Sequence, residues 1–190
     1  MQINPTTFHG VFLITPTVHH DVRGSFTETF RLEDLENQLG RSIQFVQDNE
    51  SLSYKGVIRG LHYQQPPFAQ SKLVRVVQGE VWDVIVDLRH DSHTFGQFYS
   101  ETLSSENQHQ LFIPRGFAHG YITLSDTAIF AYKVDQYYSK AHEASIAFDD
   151  PQLGIPWPLD PKTWILSDKD RKHPGFAAAP RFKSLNNADD

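Results

Sequence analysis

The chain has 190 residues, no cysteine and a formal net charge of −6. Disulfides, iron–sulfur clusters and thiolate zinc sites are therefore excluded, and so is a basic nucleic-acid footprint. Aromatic residues make up 13% of the chain, which suits one β-rich domain better than a helical bundle.

The opening residues MQINPTTFHGVFLITPTVHHDVRG lack the charged-then-apolar layout of a secretory leader. No window approaches the roughly 20 apolar residues of a membrane span. Both features lead us to expect a cytoplasmic protein. RLEDLENQLG reads as a short helix, with Leu32, Leu35 and Leu39 at helical spacing and Gly40 as its C-terminal cap. In KLVRVVQGEVWDV, Gly79 marks a tight reversal between two β-branched runs, a hairpin signal.

EVWDVIVDLR alternates: Trp82, Val84, Val86 and Leu88 share one face, and Asp83, Ile85 and Asp87 share the other. HQLFIPRGFAHGYITLSDTAIFAYKV reads as two further short strands, broken at Pro114–Gly116 and at Ser125–Asp126. DDPQLGIPWPLDPKTW carries Pro151, Pro156, Pro158 and Pro161. So much proline excludes a central strand and predicts an extended wrap over the surface. ILSDKDRKHPG is expected to start a short helix capped by Ser167 or Asp168, and residues 180–190 are expected to fray. The sum is an all-β sandwich or jelly roll formed as a single domain over 1–190, with a few peripheral helices, and two motif spacings make it cupin-type.

Two spacings bear on chemistry. Gly56, His62 and Gly79 stand where the first cupin motif has its opening Gly, first His and closing Gly; Pro114, Gly116 and His119 reproduce the second motif. However, the second His of the first motif is Gln64, its Glu is Lys72, and the Asn of the second motif is Thr123. Two imidazoles beside an ammonium are a poor cage for a divalent cation, so we expect a metal-free pocket with no cofactor. Taken alone, each histidine reads first as an ordinary core residue; the two at both motif positions, joined by Lys72, reverse that reading. A histidine, a lysine and a tyrosine in a dry pocket instead suit proton abstraction beside a carbonyl: the histidine takes the proton, the lysine holds the enolate oxygen, and the tyrosine returns a proton on the opposite face. A base histidine needs a carboxylate to fix its tautomer. Asp170, Asp168, Asp83 and Asp87 are all candidates, and the sequence alone does not choose among them.

The ordered blocks DVRGSFTETF, FVQDNESLSYKGVIRGLHYQ, QSKLVRVVQGEVWDVIVDLRHDSHTFG, LFIPRGFAHGY, AYKVDQYY, FDDPQLGIPWP and LSDKD resemble the dTDP-4-dehydrorhamnose 3,5-epimerase family over nearly the whole chain. The resemblance implies an isomerase acting on a dTDP-4-keto-6-deoxy sugar in dTDP-L-rhamnose synthesis. It implies His62 as base, paired with Asp170, Tyr132 as proton donor and Lys72 as enolate stabiliser. Tyr138 would shape the sugar pocket, and Arg23 and Arg59 would hold the pyrophosphate. Phe26, Glu28, Gln47, Asp48 and Asn49 would line the nucleotide side, and His119, Glu143 and Lys169 would contact substrate.

The resemblance also implies a homodimer that exchanges part of the segment 1–50, so that Arg23 and Phe26 could serve the partner's site. Arg59 lies three residues before His62, so on a regular strand the two would point to opposite faces; a bend or bulge at Gly60 would bring them together, and otherwise Arg59 could serve the partner subunit or the pocket rim. Alternatives from other classes are an epimerase acting at C3 or C5 only, a sugar ketoisomerase, a metal-dependent cupin isomerase, and a cupin that binds a nucleotide sugar without turning it over.

Overall fold

The computed structural model describes residues 1–182. Two antiparallel sheets face each other. The first runs, in spatial order, β1 (Gln2–Pro5), β2 (Phe12–Thr15), β10 (Gln110–Ile113), β7 (Lys72–Gln78), β12 (Thr127–Val134) and β5 (Gln47–Tyr54). The second runs β13 (Glu143–Ser145), β6 (Ile58–Gln64), β11 (Phe117–Thr123), β8 (Glu80–Asp87) and β9 (Phe98–Ser104). A separate hairpin pairs β3 (Val18–Asp21) with β4 (Gly24–Thr27). This is the expected cupin-type jelly roll.

The alternation in β8 gives each face its own partner. Val81 and Ile85 point between the sheets and pack with Val74, Val76, Leu111, Tyr121 and Phe130. Val84, Val86 and Leu88 point outward into a second core, with Trp82 packed against it; that core is closed by Leu153, Trp157, Ala179 and Phe182. The proline-rich segment is thus an extended wrap, but it seals apolar surface as well as covering it. Ile165 exchanges backbone hydrogen bonds with Gly56 and Ile58, and Trp157 Nε1 donates to the Phe148 carbonyl at 2.7 Å.

Helix α1 (Leu32–Leu39) ends as expected on Gly40, which adopts φ 66° and donates to the Glu36 carbonyl. Only Leu35 of its leucines is fully buried. The reversal at Gly79 separates β7 from β8, although these strands lie in different sheets. It is a corner between layers, not the two-stranded hairpin the pattern suggested.

Three further sequence expectations need correction. HQLFIPRGFAHGYITLSDTAIFAYKV contains three strands (β10, β11 and β12), not two, because Pro114–Gly116 and Ser125–Asp126 are two separate breaks. ILSDKDRKHPG forms only a single 3₁₀ turn over Asp170–Lys172, entered through Lys169 without a side-chain cap. Ser167 Oγ does accept from the Asp170 N–H at 3.1 Å. The expected fraying fails at its start: Phe182 is 4% exposed and its N–H donates to the Leu88 carbonyl. The remainder of that expectation lies outside the described residues.

Candidate active site

The site is built where β6, β7, β11 and β12 present their inner faces. Antiparallel pairing sets His62 directly opposite His119, yet it sets Arg59 opposite Tyr121. Three steps on β6 therefore match two on β11, and the extra residue is a bulge. Gly60 sits in it at φ 132°. A Cβ there would stand 2.5 Å from Gly120 Cα and 2.9 Å from the His119 carbonyl oxygen, so only glycine fits both the torsion and the space. The bulge flips the parity of the strand, and Arg59 and His62 both face one cavity of about 520 Å³.

Gln47, Asn49, Arg59, His62, Lys72, His119, Tyr132, Tyr138, Glu143, Lys169 and Asp170 all line this cavity. The four aspartate candidates separate cleanly. Asp170 Oδ1 lies 2.7 Å from His62 Nε2, and Ser167 Oγ donates to its Oδ2 at 2.8 Å. Burial opposes ionisation of Asp170, but His62 and Ser167 together hold its carboxyl below the usual range. Asp83 instead pairs with His119, Oδ2 to Nε2 at 2.8 Å. Asp87 is held by Arg89, Ser92 and Thr94, and Asp168 is exposed. With Asp170 accepting from Nε2, His62 presents Nδ1 with a free lone pair.

His119 and Asp83 form a second, deeper pair with side chains 8% and 0% exposed. Burial lowers the His119 pKa against the pull of Asp83, so the ring is a neutral donor. Lys72 enters from β7 in the opposite sheet. Burial pulls its pKa down to about 8, opposed by the charges of Asp83 and Glu143. The ammonium is thus retained at neutral pH, close to its titration point.

Tyr132, next to Lys72's strand on β12, has its pKa raised mainly by burial, which keeps its hydroxyl protonated. At the rim, Tyr138 Oη donates to Glu143 Oε2 at 3.0 Å and Lys169 Nζ pairs with Oε1. Burial works against ionisation of Glu143, and these two donors overcome it. Arg59 Nε donates to Ser53 Oγ at 3.0 Å, while Gln47 Oε1 accepts from the Tyr138 N–H at 3.1 Å.

Four expected residues lie elsewhere in the chain's own fold. Asp48 points to the other face of β5, pairs with Lys133 at 2.9 Å and lines a neighbouring hollow of about 330 Å³ with Phe30 and Arg75. Arg23 and Phe26 stand on the β3–β4 hairpin, with Arg23 held by Asp21 and Phe26 71% exposed. Glu28 pairs with Arg31 at 3.0 Å. Arg23, Phe26 and Glu28 are not among the described residues lining the cavity.

The structure adds residues that sequence reasoning passed over. Tyr121 Oη bonds Ser51 and Ser53 at 3.0 and 3.1 Å, bracing the floor beneath Arg59. Gln64, noted only as a missing metal ligand, ties the Ser139 N–H and the Phe68 and Tyr137 carbonyls, so it anchors the loop that carries Tyr138. Its position in the cupin spacing marked Gln64 for attention; nothing in the pattern signalled Ser51 or Tyr121.

Comparison with known proteins places the chain in a family. The family model for dTDP-4-dehydrorhamnose 3,5-epimerase matches residues 5–178. A dTDP-4-dehydrorhamnose 3,5-epimerase of Shigella flexneri is 48% identical over 96% of this chain and 99% of its own. One of Pseudomonas aeruginosa is 49% identical over 90% of this chain and 94% of its own. The crystal structure of a 3,5-epimerase from Legionella pneumophila in complex with dTDP-4-keto-L-rhamnose superposes with a TM-score of 0.90 at 45% identity, covering 96% and 99% of the two chains. Fold, matched length and identity lead to one conclusion: the chain belongs to the dTDP-4-dehydrorhamnose 3,5-epimerase family.

Proposed function

We propose that the chain inverts C3 and C5 of dTDP-4-keto-6-deoxy-D-glucose, supplying the 4-keto precursor of dTDP-L-rhamnose. The observation that carries the mechanism is the placement of base and acid on opposing sheets of one cavity: His62 on β6, Tyr132 on β12. The C4 ketone acidifies the protons on C3 and C5. His62 Nδ1 removes one, and the resulting imidazolium is balanced by Asp170. The enolate oxygen is met by the Lys72 ammonium, a charge fixed before reaction. Tyr132 then delivers a proton to the opposite face of the carbon, and the stereocentre inverts. The cation is covalently part of the protein, and there is no net redox change.

Arg59 suits diphosphate oxygens through its planar donors, and Tyr138, Glu143 and Lys169 frame the sugar end. The chain acts in the cytoplasm as a homodimer. Two features support the dimer. The β3–β4 hairpin projects Arg23 and Phe26 away from their own cavity, and Leu52, Tyr54 and Val77 leave apolar surface exposed on the first sheet. In this reading the hairpin's side chains complete the partner's nucleotide site. Among the described residues no helix is long and apolar enough to cross a membrane.

The test is incubation with dTDP-4-keto-6-deoxyglucose in heavy water, with exchanged positions counted by NMR. Deuterium at both C3 and C5 is expected. One position would make the chain a single-site epimerase, and none would make it a binder.

A further inference from the structure

His173 takes no part in the reaction outlined above, yet it is set behind the catalytic pair. Its side chain is 4% exposed, and neither ring nitrogen has a partner of full hydrogen-bond geometry. A hydrogen bond to the Ile146 backbone is the weakest of the influences on the ring. Buried polar groups are seldom left without a partner. His173 Nε2 lies 3.6 Å from Asp170 Oδ1, the same oxygen that takes His62 Nε2 at 2.7 Å, and the two imidazoles meet edge to face at 5.1 Å.

We infer that His62, Asp170 and His173 form a binding site for a late first-row divalent cation such as Zn²⁺, and that its occupation switches the enzyme off. The three donor atoms lie within 4.8 Å of one another. Two imidazoles and a carboxylate are a familiar zinc set, and metal–ligand bonds of about 2.0–2.1 Å at a tetrahedral ion put neighbouring donors about 3.3 Å apart. The two spacings to Asp170 Oδ1, 2.7 and 3.6 Å, bracket that value, and the third lies within 4.8 Å, so side-chain adjustments of about 1–2 Å create the site. Burial favours the neutral ring at His173, the form a metal requires.

This is a different place from the lost cupin centre, which would lie between His62 and His119 and is denied by Lys72. The Lys169 ammonium nearby opposes a divalent charge. We therefore expect an affinity around the micromolar range, not that of a structural zinc.

Inhibition follows from the tautomer. A metal on His62 Nε2 takes that nitrogen's lone pair. The proton formerly on Nε2 leaves to solvent and one is taken up on Nδ1, with no net change. Nδ1 then carries hydrogen and cannot accept a proton from substrate. The groups that hold diphosphate and sugar are untouched, so kcat should fall while KM stays nearly constant. This consequence rests on His62 being the base; cation binding itself does not.

The experiment pairs calorimetric titration of ZnCl₂ into the whole protein with turnover at matched zinc, before and after EDTA, for wild type and for His173→Phe. The wild type should bind one zinc per chain and lose kcat reversibly. His173→Phe should keep its turnover without zinc and need at least about tenfold more zinc for both effects. His173→Gln, which keeps a polar side chain but offers a poor zinc ligand, provides the same comparison should the phenylalanine variant not fold. Added Co²⁺ should give visible absorption of a tetrahedral site in the wild type only. Absence of binding and inhibition up to about 1 mM zinc, equal inhibition of wild type and variants, or zinc acting through KM alone would each overturn the site. Stoichiometric binding at this site without loss of kcat would instead overturn His62 as the base.

Discussion

Asp170 Oδ1 stands 2.7 Å from His62 Nε2 although 108 residues separate the two in sequence. The contact is made by the C-terminal wrap returning over β6, and in the proposed mechanism it gives His62 its orientation and its counter-charge. His62→Ala is expected to lower kcat about 10²–10⁴-fold. Asp170→Asn should cost a loss of similar order by favouring the wrong tautomer. Steady-state kinetics, with circular dichroism and thermal melts to confirm folding, check both; unchanged turnover in either variant would remove the pair from the mechanism.

Tyr132 gives a sharper separation. Tyr132→Phe removes the proton donor but leaves His62 and Lys72 in place, so abstraction survives and inversion does not. In heavy water the variant should wash deuterium into substrate with its original configuration, while forming epimerised product at least about 10²-fold more slowly. NMR of the recovered sugar distinguishes this outcome from simple inactivity.

Lys72 sets the alkaline limit. Its pKa is lowered to about 8, burial outweighing Asp83 and Glu143. The charged form is the working form, so kcat/KM should hold through neutrality and fall as pH rises past about 8, since that parameter reports ionisations of the free enzyme. Lys72→Arg keeps its charge at every accessible pH. It should be slower, because a planar fork replaces a point charge, but its profile should lose this alkaline fall. A limb that persists in the arginine variant would belong to another group.

Gly60→Ala should damage the fold itself. Its added carbon meets Gly120 Cα at 2.5 Å at a torsion of φ 132°. Overpacking and strained backbone together suggest a cost of about 2–5 kcal/mol, readable as a lowered denaturant midpoint. Full stability would mean the bulge relaxes without consequence.

The jelly roll was legible because short strands, turn residues and the two cupin spacings all act over a few residues. Gly40 capped its helix as its backbone freedom required. The parity mismatch between Arg59 and His62 left a bulge at Gly60 as one of two readings, and the bulge is present. Long-range choices were not legible. Which aspartate serves His62 depends on where the wrap returns, and the same alternation that made Asp83 a candidate delivers it to His119. Phe182 was judged by its nearness to the chain end, whereas its burial depends on an apolar face of β8 that the wrap has to close. Arg23, Phe26 and Glu28 were expected at the site only through the family resemblance, and in the chain's own fold they stand apart from the cavity.

The bulged strand β6 has a consequence for what the enzyme will accept. In the proposed mechanism one short piece of backbone carries both the guanidinium that would hold the phosphate linkage and the imidazole that would take the proton, so it would work as a ruler laid along the ligand. A sugar attached through one phosphate instead of two would be gripped correctly at one end and fall short at the other, leaving its acidic carbon beyond the reach of His62.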